Sequence, residues 1–138
     1  MSKNMLIIDV DVAIRDLLRL VFEYDGFHCC EAENGAEGLT MIESQTFDII
    51  ILDNAMPIMT GLEFLNHLQH RPQQYDTPII MSTGSLNPEV REEATKLGAY
   101  AIMGKPHDLD ELRDLVSQLC LKSPSLPQES PLLPKESS

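Results

Sequence analysis

The feature that most constrains this fold is a series of five short apolar runs, separated by longer segments of mixed polarity. The runs, of which the second is the weakest, lack the polar alternation of a strand that faces water on one side. Such runs predict strands that are buried on both faces of a sheet. The five predicted strands are Met5 to Ile8, Phe27 to Cys30, Ile49 to Leu52, Ile79 to Met81 and Ala99 to Met103.

The segments between the runs have the periodicity of amphipathic helices. Four apolar residues of the first segment recur at the spacing of one helical face: Ile14, Leu17, Leu18 and Val21. Strands that alternate with helices form a parallel sheet whose right-handed crossovers cover both faces. The chain is therefore predicted to be an α/β protein with a doubly wound, five-stranded parallel sheet. Ligands in this architecture bind beyond the carboxyl ends of the strands.

Length and charge narrow the class of protein. At 138 residues, of which 43% are hydrophobic, the chain is long enough for one domain with a core of its own. Its net charge of -12 disfavours direct binding to DNA or to an anionic membrane surface, because both would repel it. The N-terminus has no secretory signal pattern, and no apolar run approaches the roughly 20 residues that span a bilayer. We expect a cytoplasmic protein that binds neither DNA nor membranes.

Two further features have simple structural explanations. Cys29, Cys30 and Cys120 have neither the spacing of a metal site nor an even number, so we expect reduced, buried thiols. From Lys122 onward the sequence is KSPSLPQESPLLPKESS, which has too little apolar area to offset the entropy of ordering. Residues 122–138 are therefore predicted to be a disordered tail that follows one folded domain, residues 1–121.

Side chains with reactive groups follow four of the predicted strands. Asp9 and Asp11 follow the first strand, Asp53 the third, Thr83 the fourth and Lys105 the fifth. Because the carboxyl ends of parallel strands meet at one edge of a sheet, we expect these groups to lie together. Carboxylates bind a hard cation such as Mg2+, a hydroxyl can bond a phosphoryl oxygen, and a lysine neutralises its charge. The set predicts a phosphoryl-transfer site, with Asp9 and Asp53 as candidate nucleophiles.

One interpretation of these acids is a haloacid-dehalogenase-type phosphatase. In that family an apolar strand leads into a D-x-D pattern, so that Asp9 would be the nucleophile and Asp11 the general acid and base. Thr83 and Lys105 would support them. However, the chain lacks the acidic pair that ends a further strand after the lysine in that family, and it has no room for the usual inserted cap. Nor does this interpretation explain the LDNAMPIMTG stretch that begins at Leu52.

Taken together, the motifs resemble the receiver domain of two-component response regulators. They are LIID at the end of the first strand, LDNAMPIMTGLEFL with its M-P-x-M-x-G turn, TPIIMSTG, and GAYAIMGKPHDLDEL with its Lys-Pro pair. They span about residues 4–120 in the order and spacing of that family, which is far more specific than any single motif. The resemblance implies a flavodoxin-like (βα)5 fold with strand order 2-1-3-4-5, and a signalling protein rather than an enzyme.

By this resemblance, Asp53 would accept a phosphoryl group from a histidine kinase or a histidine phosphotransfer protein. Thr83 would donate a hydrogen bond to the phosphoryl group, and Lys105 would pair with it. Mg2+ would be held by the carboxylates of Asp9 and Asp53 and by the backbone carbonyl of Ala55. The phosphorylated domain would then present a changed face to a downstream protein partner.

The resemblance also implies how that face would change. A doubly negative phosphoryl group on Asp53 would draw Thr83 inward and shift residues 84–97. The Lys105–Pro106 peptide bond is a candidate for the cis form, which would aim the lysine back at the site.

Two positions depart from the pattern of the family. Where the family has a second acid after the first strand, this chain has Val10, which offers no oxygen ligand, so we expect weakened Mg2+ binding. The neighbouring Asp11 is expected to cap the first helix. Ile102 stands where the family commonly has a Tyr or Phe switch residue. Three functions stay open: a stand-alone receiver phosphorylated on Asp53, a receiver-like interaction module in which Val10 impairs phosphorylation, and, as a remote alternative, the phosphatase that uses Asp9 and Asp11.

Overall fold

The structure, a computed structural model, describes residues 3–71, 76–84, 87–105 and 108–121. Within these ranges strands and helices alternate along the chain, as the sequence pattern predicts. The strands are β1 (Lys3–Ile8), β2 (Phe27–Ala32), β3 (Ile49–Asp53), β4 (Ile79–Thr83) and β5 (Ala101–Gly104). The helices are α1 (Val12–Tyr24), α2 (Gly35–Ser44), α3 (Gly61–Gln69), α4 (Pro88–Lys96) and α5 (Leu109–Leu121).

The strands form one parallel sheet in the order β2-β1-β3-β4-β5, which confirms the predicted doubly wound α/β fold. The chain moves outward from β1 to β2 and then crosses to β3 on the other side of β1. The winding direction therefore reverses between β1 and β3, and a crevice opens at their carboxyl ends. Asp9 follows β1 and Asp53 ends β3, so both acids lie at this switch point.

The prediction that strands are buried on both faces holds in the centre of the sheet and is wrong at its edges. Every residue of β3 and β4 is buried, and Met5 to Ile8 of β1 are fully buried. In contrast, β5 is half-buried along its whole length, and β2 is buried only at Cys29 and Ala32. The reason is that β2 and β5 each have a neighbouring strand on one side only.

The buried face of α1 also differs from the predicted one. The residues of α1 that are buried are Arg15, Leu18 and Phe22, whereas Leu17 is 40% exposed. The guanidinium of Arg15 donates a hydrogen bond to the backbone carbonyl of Asp9 at 2.6 Å and pairs with the carboxylate of Glu31 at 2.9 Å. These two bonds hold Arg15 toward the sheet, and the helix consequently turns Leu17 toward solvent.

Caps set where α1 begins and where two helices end. Asp11 caps α1 as predicted, because its Oδ1 accepts the N–H of Ala13 at 2.9 Å. Gly26 and Gly98, which follow α1 and α4, have φ values of 98° and 101°. This left-handed conformation suits glycine, and it ends both helices.

Several sequence predictions have a different outcome. Cys29 is buried, but Cys30 and Cys120 are only half-buried, and none of the three is in a disulfide. The predicted tail, residues 122–138, and the Lys105–Pro106 bond lie outside the described residues, as do residues 85 and 86 of the segment that is expected to shift.

Residues up to Asp108 form one compact unit, and α5 belongs to a second unit that begins at Leu109. No helix among the described residues is long and apolar enough to cross a membrane.

The close approach of Gly61 to the end of β3 gives a test of this packing. A Cβ at position 61 would collide with the backbone carbonyl oxygen of Asp53 and would lie 2.9 Å from the Cα of Asn54. Backbone atoms cannot rotate away, so Gly61→Ala is expected to lower the free energy of unfolding in urea by about 2 kcal/mol. Gly84→Ala is the matched control, since nothing lies within 4 Å of its added Cβ. Equal losses in the two variants would contradict the contact.

Candidate functional site

Asp9, Asp53 and Lys105 meet at the carboxyl edge of the sheet, as the sequence predicts. The Nζ atom of Lys105 lies 2.6 Å from Oδ2 of Asp9 and 3.5 Å from Oδ1 of Asp53. Each carboxylate side chain is only 4% exposed, and the lysine side chain is 19% exposed. A single ammonium group therefore bridges two buried carboxylates that belong to neighbouring strands.

Each carboxylate is also oriented by a backbone N–H two residues further along the chain. The N–H of Asp11 donates to Oδ1 of Asp9 at 2.9 Å, and the N–H of Ala55 donates to Oδ1 of Asp53 at 3.3 Å. These local turns close the ends of β1 and β3. They fix both acids over the crevice before any ligand arrives.

The electrostatic environment raises the pKa of the Asp53 carboxyl above its ordinary value. Burial is the main cause, because it disfavours the charged form, and the charge of Asp9 adds to the effect. Lys105 and the N–H of Ala55 act in the opposite direction. The crevice therefore holds more negative charge than its own groups neutralise, which is a condition that favours binding of a further cation.

Thr83 is fully buried at the last position of β4. The register partner of Asp53 in β4 is Ser82, so Thr83 lies one residue further toward the carboxyl edge. The register partner of Thr83 in β5 is Gly104. The backbone carbonyl of Thr83 accepts the N–H of Lys105 at 2.9 Å. Thr83 thus sits at the same edge as the acids and is tied to the lysine through the backbone.

Val10 lies at this edge without a group that can bind a metal, and its side chain is 47% exposed. The carboxylate of Asp11 caps α1. One oxygen of Asp11 is therefore committed to the start of the helix. Within the described part of the chain, no three His, Cys, Asp or Glu side chains are grouped so that they could hold a metal ion.

The oxygen donors at this edge nevertheless fit Mg2+ with a reduced set of protein ligands. Asp9 and Asp53 are buried hard donors, and the ammonium of Lys105 offsets part of their mutual repulsion. The backbone carbonyl of Ala55 is a candidate third donor. Mg2+ usually keeps several waters in protein sites, so two carboxylates and one carbonyl suit it.

Arg15 holds the end of β1, where Asp9 lies, and the sequence analysis did not identify this role. Its Nη1 donates to the carbonyl of Asp9, and its Nε pairs with Glu31. The signal was its spacing: Arg15 precedes Leu18 by three residues and Phe22 by seven, so a charged side chain stands on the apolar face of the helix. A buried arginine on such a face requires acceptors, and the end of β1 supplies one.

Asn54 holds the loop after Asp53 and was also missed. Its side-chain Oδ1 accepts the N–H of Leu62 at 3.1 Å, and its carbonyl accepts the N–H of Gly61 at 3.1 Å. The first turn of α3 is therefore fastened to the residue next to Asp53. No pattern in the sequence alone identifies this role, because an Asn after a strand is a common turn residue.

Ile102 stands where the family commonly has a Tyr or Phe switch residue, and it offers no aromatic ring. Ile102 is half-buried and packs against the hydrophobic core cluster, and it lies opposite Met81 of β4. Tyr100, the nearest aromatic residue, precedes β5 and is 58% exposed. Tyr100 therefore does not supply the inward-facing ring that is absent at position 102.

Known sequences place the chain in a family. Residues 5–117 match the response regulator receiver domain family. Sporulation initiation phosphotransferase F of Bacillus subtilis is 34% identical over 124 residues, which cover 89% of this chain and 98% of that protein. The phosphate regulon transcriptional regulatory protein PhoB of Pseudomonas aeruginosa is 31% identical over 111 residues, which cover 80% of this chain and 48% of that protein.

Solved structures agree with this placement. Vibrio cholerae chemotaxis protein CheY4 is 29% identical and has a TM-score of 0.81, over 86% of this chain and 99% of that one. The response regulator protein TrrA from Thermotoga maritima, in complex with Mg(2+)-BeF, is 31% identical and has a TM-score of 0.75, with the same coverage. The phosphatase interpretation loses its support, since Asp11 is a helix cap and the sequence matches a different family. The chain belongs to the response regulator receiver domain family.

Proposed function

We propose that this receiver domain is phosphorylated on Asp53 by a histidine kinase or a histidine phosphotransfer protein. The observation that supports it most is the meeting of Asp53, Asp9 and the ammonium of Lys105 in a buried crevice. In the proposed step, a carboxylate oxygen of Asp53 attacks the phosphorus of a phosphohistidine. A P–O bond forms as the P–N bond breaks, and the imidazole leaves with a proton.

The other residues of the crevice would bind the transferred group. Lys105 would exchange its contact with Asp53 for one with a phosphoryl oxygen, and the hydroxyl of Thr83 would donate to another. Mg2+, when bound, supplies positive charge that neutralises the phosphoryl oxygens. Asp9, Asp53 and the carbonyl of Ala55 would hold it, and the Mg(2+)-BeF complex of the TrrA relative supports a role for Mg2+.

The output would be a changed protein-binding face. Thr83 joins the end of β4 to the segment that leads into α4. A movement of its hydroxyl toward a phosphoryl group would therefore shift residues 84–97, which comprise this segment and α4. We propose a downstream protein partner for this face and no direct binding to DNA.

The surface of α1 supports a helical partner at the site. Four of its exposed residues recur at successive spacings of four, three and four, which is the pattern of a coiled-coil seam. The members of this α1 seam are Ala13, Leu17, Leu20 and Tyr24. A seam of this kind fits a helix of another protein, and its first residue, Ala13, lies four residues after Asp9.

Val10 favours a second candidate function, a receiver-like interaction module with impaired phosphorylation. The valine removes an expected metal ligand and places an exposed apolar side chain just before α1, at the edge of the crevice. In this alternative the α1 seam binds a partner whether or not Asp53 carries a phosphoryl group. The first function requires that Asp9 and Asp53 bind enough Mg2+ without a third carboxylate.

Phosphorylation separates the two functions. Intact-mass measurement after incubation with Mg2+ and acetyl phosphate is expected to show one added phosphoryl group that Asp53→Asn abolishes. Because Val10→Asp adds a carboxylate beside the metal, it should increase the rate by about tenfold. An unmodified chain that becomes modified only as Val10→Asp would contradict the first function and support the interaction module. An adduct that persists in Asp53→Asn would contradict phosphorylation on Asp53 and therefore the first function.

Magnesium affinity should respond to the same position. Val10→Asp is expected to tighten Mg2+ binding about tenfold in a calorimetric titration, because a third hard oxygen donor joins Asp9 and Asp53. Val12→Asp is the matched control: it adds the same charge two residues away, at a side chain that is 58% exposed. If both variants gained affinity equally, general electrostatic attraction rather than a ligand at position 10 would explain the result.

The raised pKa of Asp53 predicts how stability depends on pH. The folded state holds this proton more tightly than the unfolded chain, so the ionised carboxylate costs stability above the raised pKa. That cost disappears as the pH falls below the ordinary carboxyl pKa. Asp53→Asn should therefore raise the free energy of unfolding at pH 7 by about 1 kcal/mol, and the gain should vanish under acidic conditions. Asp16→Asn, which removes the same charge from an exposed position, should give no such pH-dependent gain.

A further inference from the structure

A groove between α3 and α4 lies outside the phosphorylation site. Its volume is about 560 Å³, which is within the range of ligand-binding clefts. Its apolar lining is Ile58, Met59, Leu62 and Leu97, its acidic lining is Glu63 and Glu93, and Asn66 and His67 complete it. We call it the α3–α4 groove. The proposed phosphotransfer uses none of these residues.

Ile58 at this groove combines backbone strain with exposure. Its φ of 70° lies in the left-handed region, which β-branched residues rarely adopt. Its side chain is 80% exposed, so it gains little from packing within the chain. Neither backbone preference nor burial accounts for an isoleucine here. Strain that is kept at an exposed apolar residue indicates a contact outside the chain.

The charge of the groove selects the kind of partner. Glu93 is exposed and forms no ion pair with any residue that the structure describes. Glu63 accepts the N–H of Thr60 in a capping box. The whole chain carries a net charge of -12, which adds attraction for cations at longer range. The groove is therefore complementary to an apolar segment with basic residues beside it.

We propose that the α3–α4 groove binds a helical segment of a partner protein, with apolar side chains on one face and lysine or arginine on its flanks. Leu62 and Leu97 would receive the apolar face, and Glu93 would pair with a basic flank. Ile58 protrudes from the rim, and a protruding side chain suits contact with a protein surface better than enclosure of a small molecule. This site goes beyond the proposed phosphorylation and does not require it.

The test uses the unmodified full chain and a defined probe. The probe is a fluorescein-labelled amphipathic peptide of about twelve residues, with leucines on one helical face and lysines on the other. Fluorescence anisotropy is expected to give a Kd of about 10–100 µM, and a peptide with glutamates in place of the lysines should not bind. Ile58→Asn should weaken binding by about fivefold or more. Because Asn tolerates the left-handed region, the same variant should melt about 4 °C higher, which separates lost contact from lost folding.

Matched variants place the binding on the groove. Glu93→Gln should weaken the peptide about threefold, whereas Glu92→Gln removes the same charge one residue away, from a side chain paired with Lys96, and should have no effect. Val12→Asn controls for loss of an exposed β-branched side chain. Weakening by Leu20→Asn, with no effect of Ile58→Asn, would move the binding to the α1 seam and overturn the proposal. So would a dimer of the free chain that Ile58→Asn dissociates, since a second copy would then occupy the groove.

Discussion

The ammonium of Lys105 is the interaction on which the crevice depends. Two carboxylates that are buried on neighbouring strands repel each other, and each loses hydration. One lysine offsets much of this cost, because it lies within ion-pair distance of both. With charges of -1 on Asp9, -1 on Asp53 and +1 on Lys105, the cluster sums to -1. An acid in place of Val10 would make it -2, so the valine eases the repulsion and weakens the attraction for Mg2+ together.

Arg15 sets both the position of the end of β1 and the rotation of α1 about its own axis. Its bonds to the carbonyl of Asp9 and to Glu31 fix the end of β1. By holding the helix in that rotation, they also leave Leu17 facing solvent, together with Leu20 further along α1. The placement of the acid and the exposure of the α1 seam therefore have one cause. A partner that docks along the seam would reach the crevice without any rearrangement of the helix.

Much of this architecture is predictable from the sequence, and the failures have physical reasons. Continuous apolar runs specify the central strands, and strand-end positions bring Asp9, Asp53 and Lys105 together, because parallel strands share one carboxyl edge. Periodicity alone misplaces the buried face of α1, because it is based on apolar residues only. It contains no information on the acceptors, the carbonyl of Asp9 and the carboxylate of Glu31, that allow Arg15 to be buried. Likewise, the left-handed conformation of Ile58 is not predictable from local propensity, since β-branched residues rarely adopt it.

The loop between β3 and α3 connects the two proposed sites mechanically. Gly61 packs against the backbone of Asp53, and Asn54 accepts hydrogen bonds from both Gly61 and Leu62. Leu62 in turn lines the α3–α4 groove. The wall of the groove is thus fastened directly to the strand end that carries the phosphoacceptor candidate. Because closely packed contacts of this kind cannot deform gradually, a change at Asp53 that moved this backbone would also change the shape of the groove. If phosphorylation changed the free energy of partner binding in this way, linkage requires that a bound partner change the free energy of phosphorylation by the same amount.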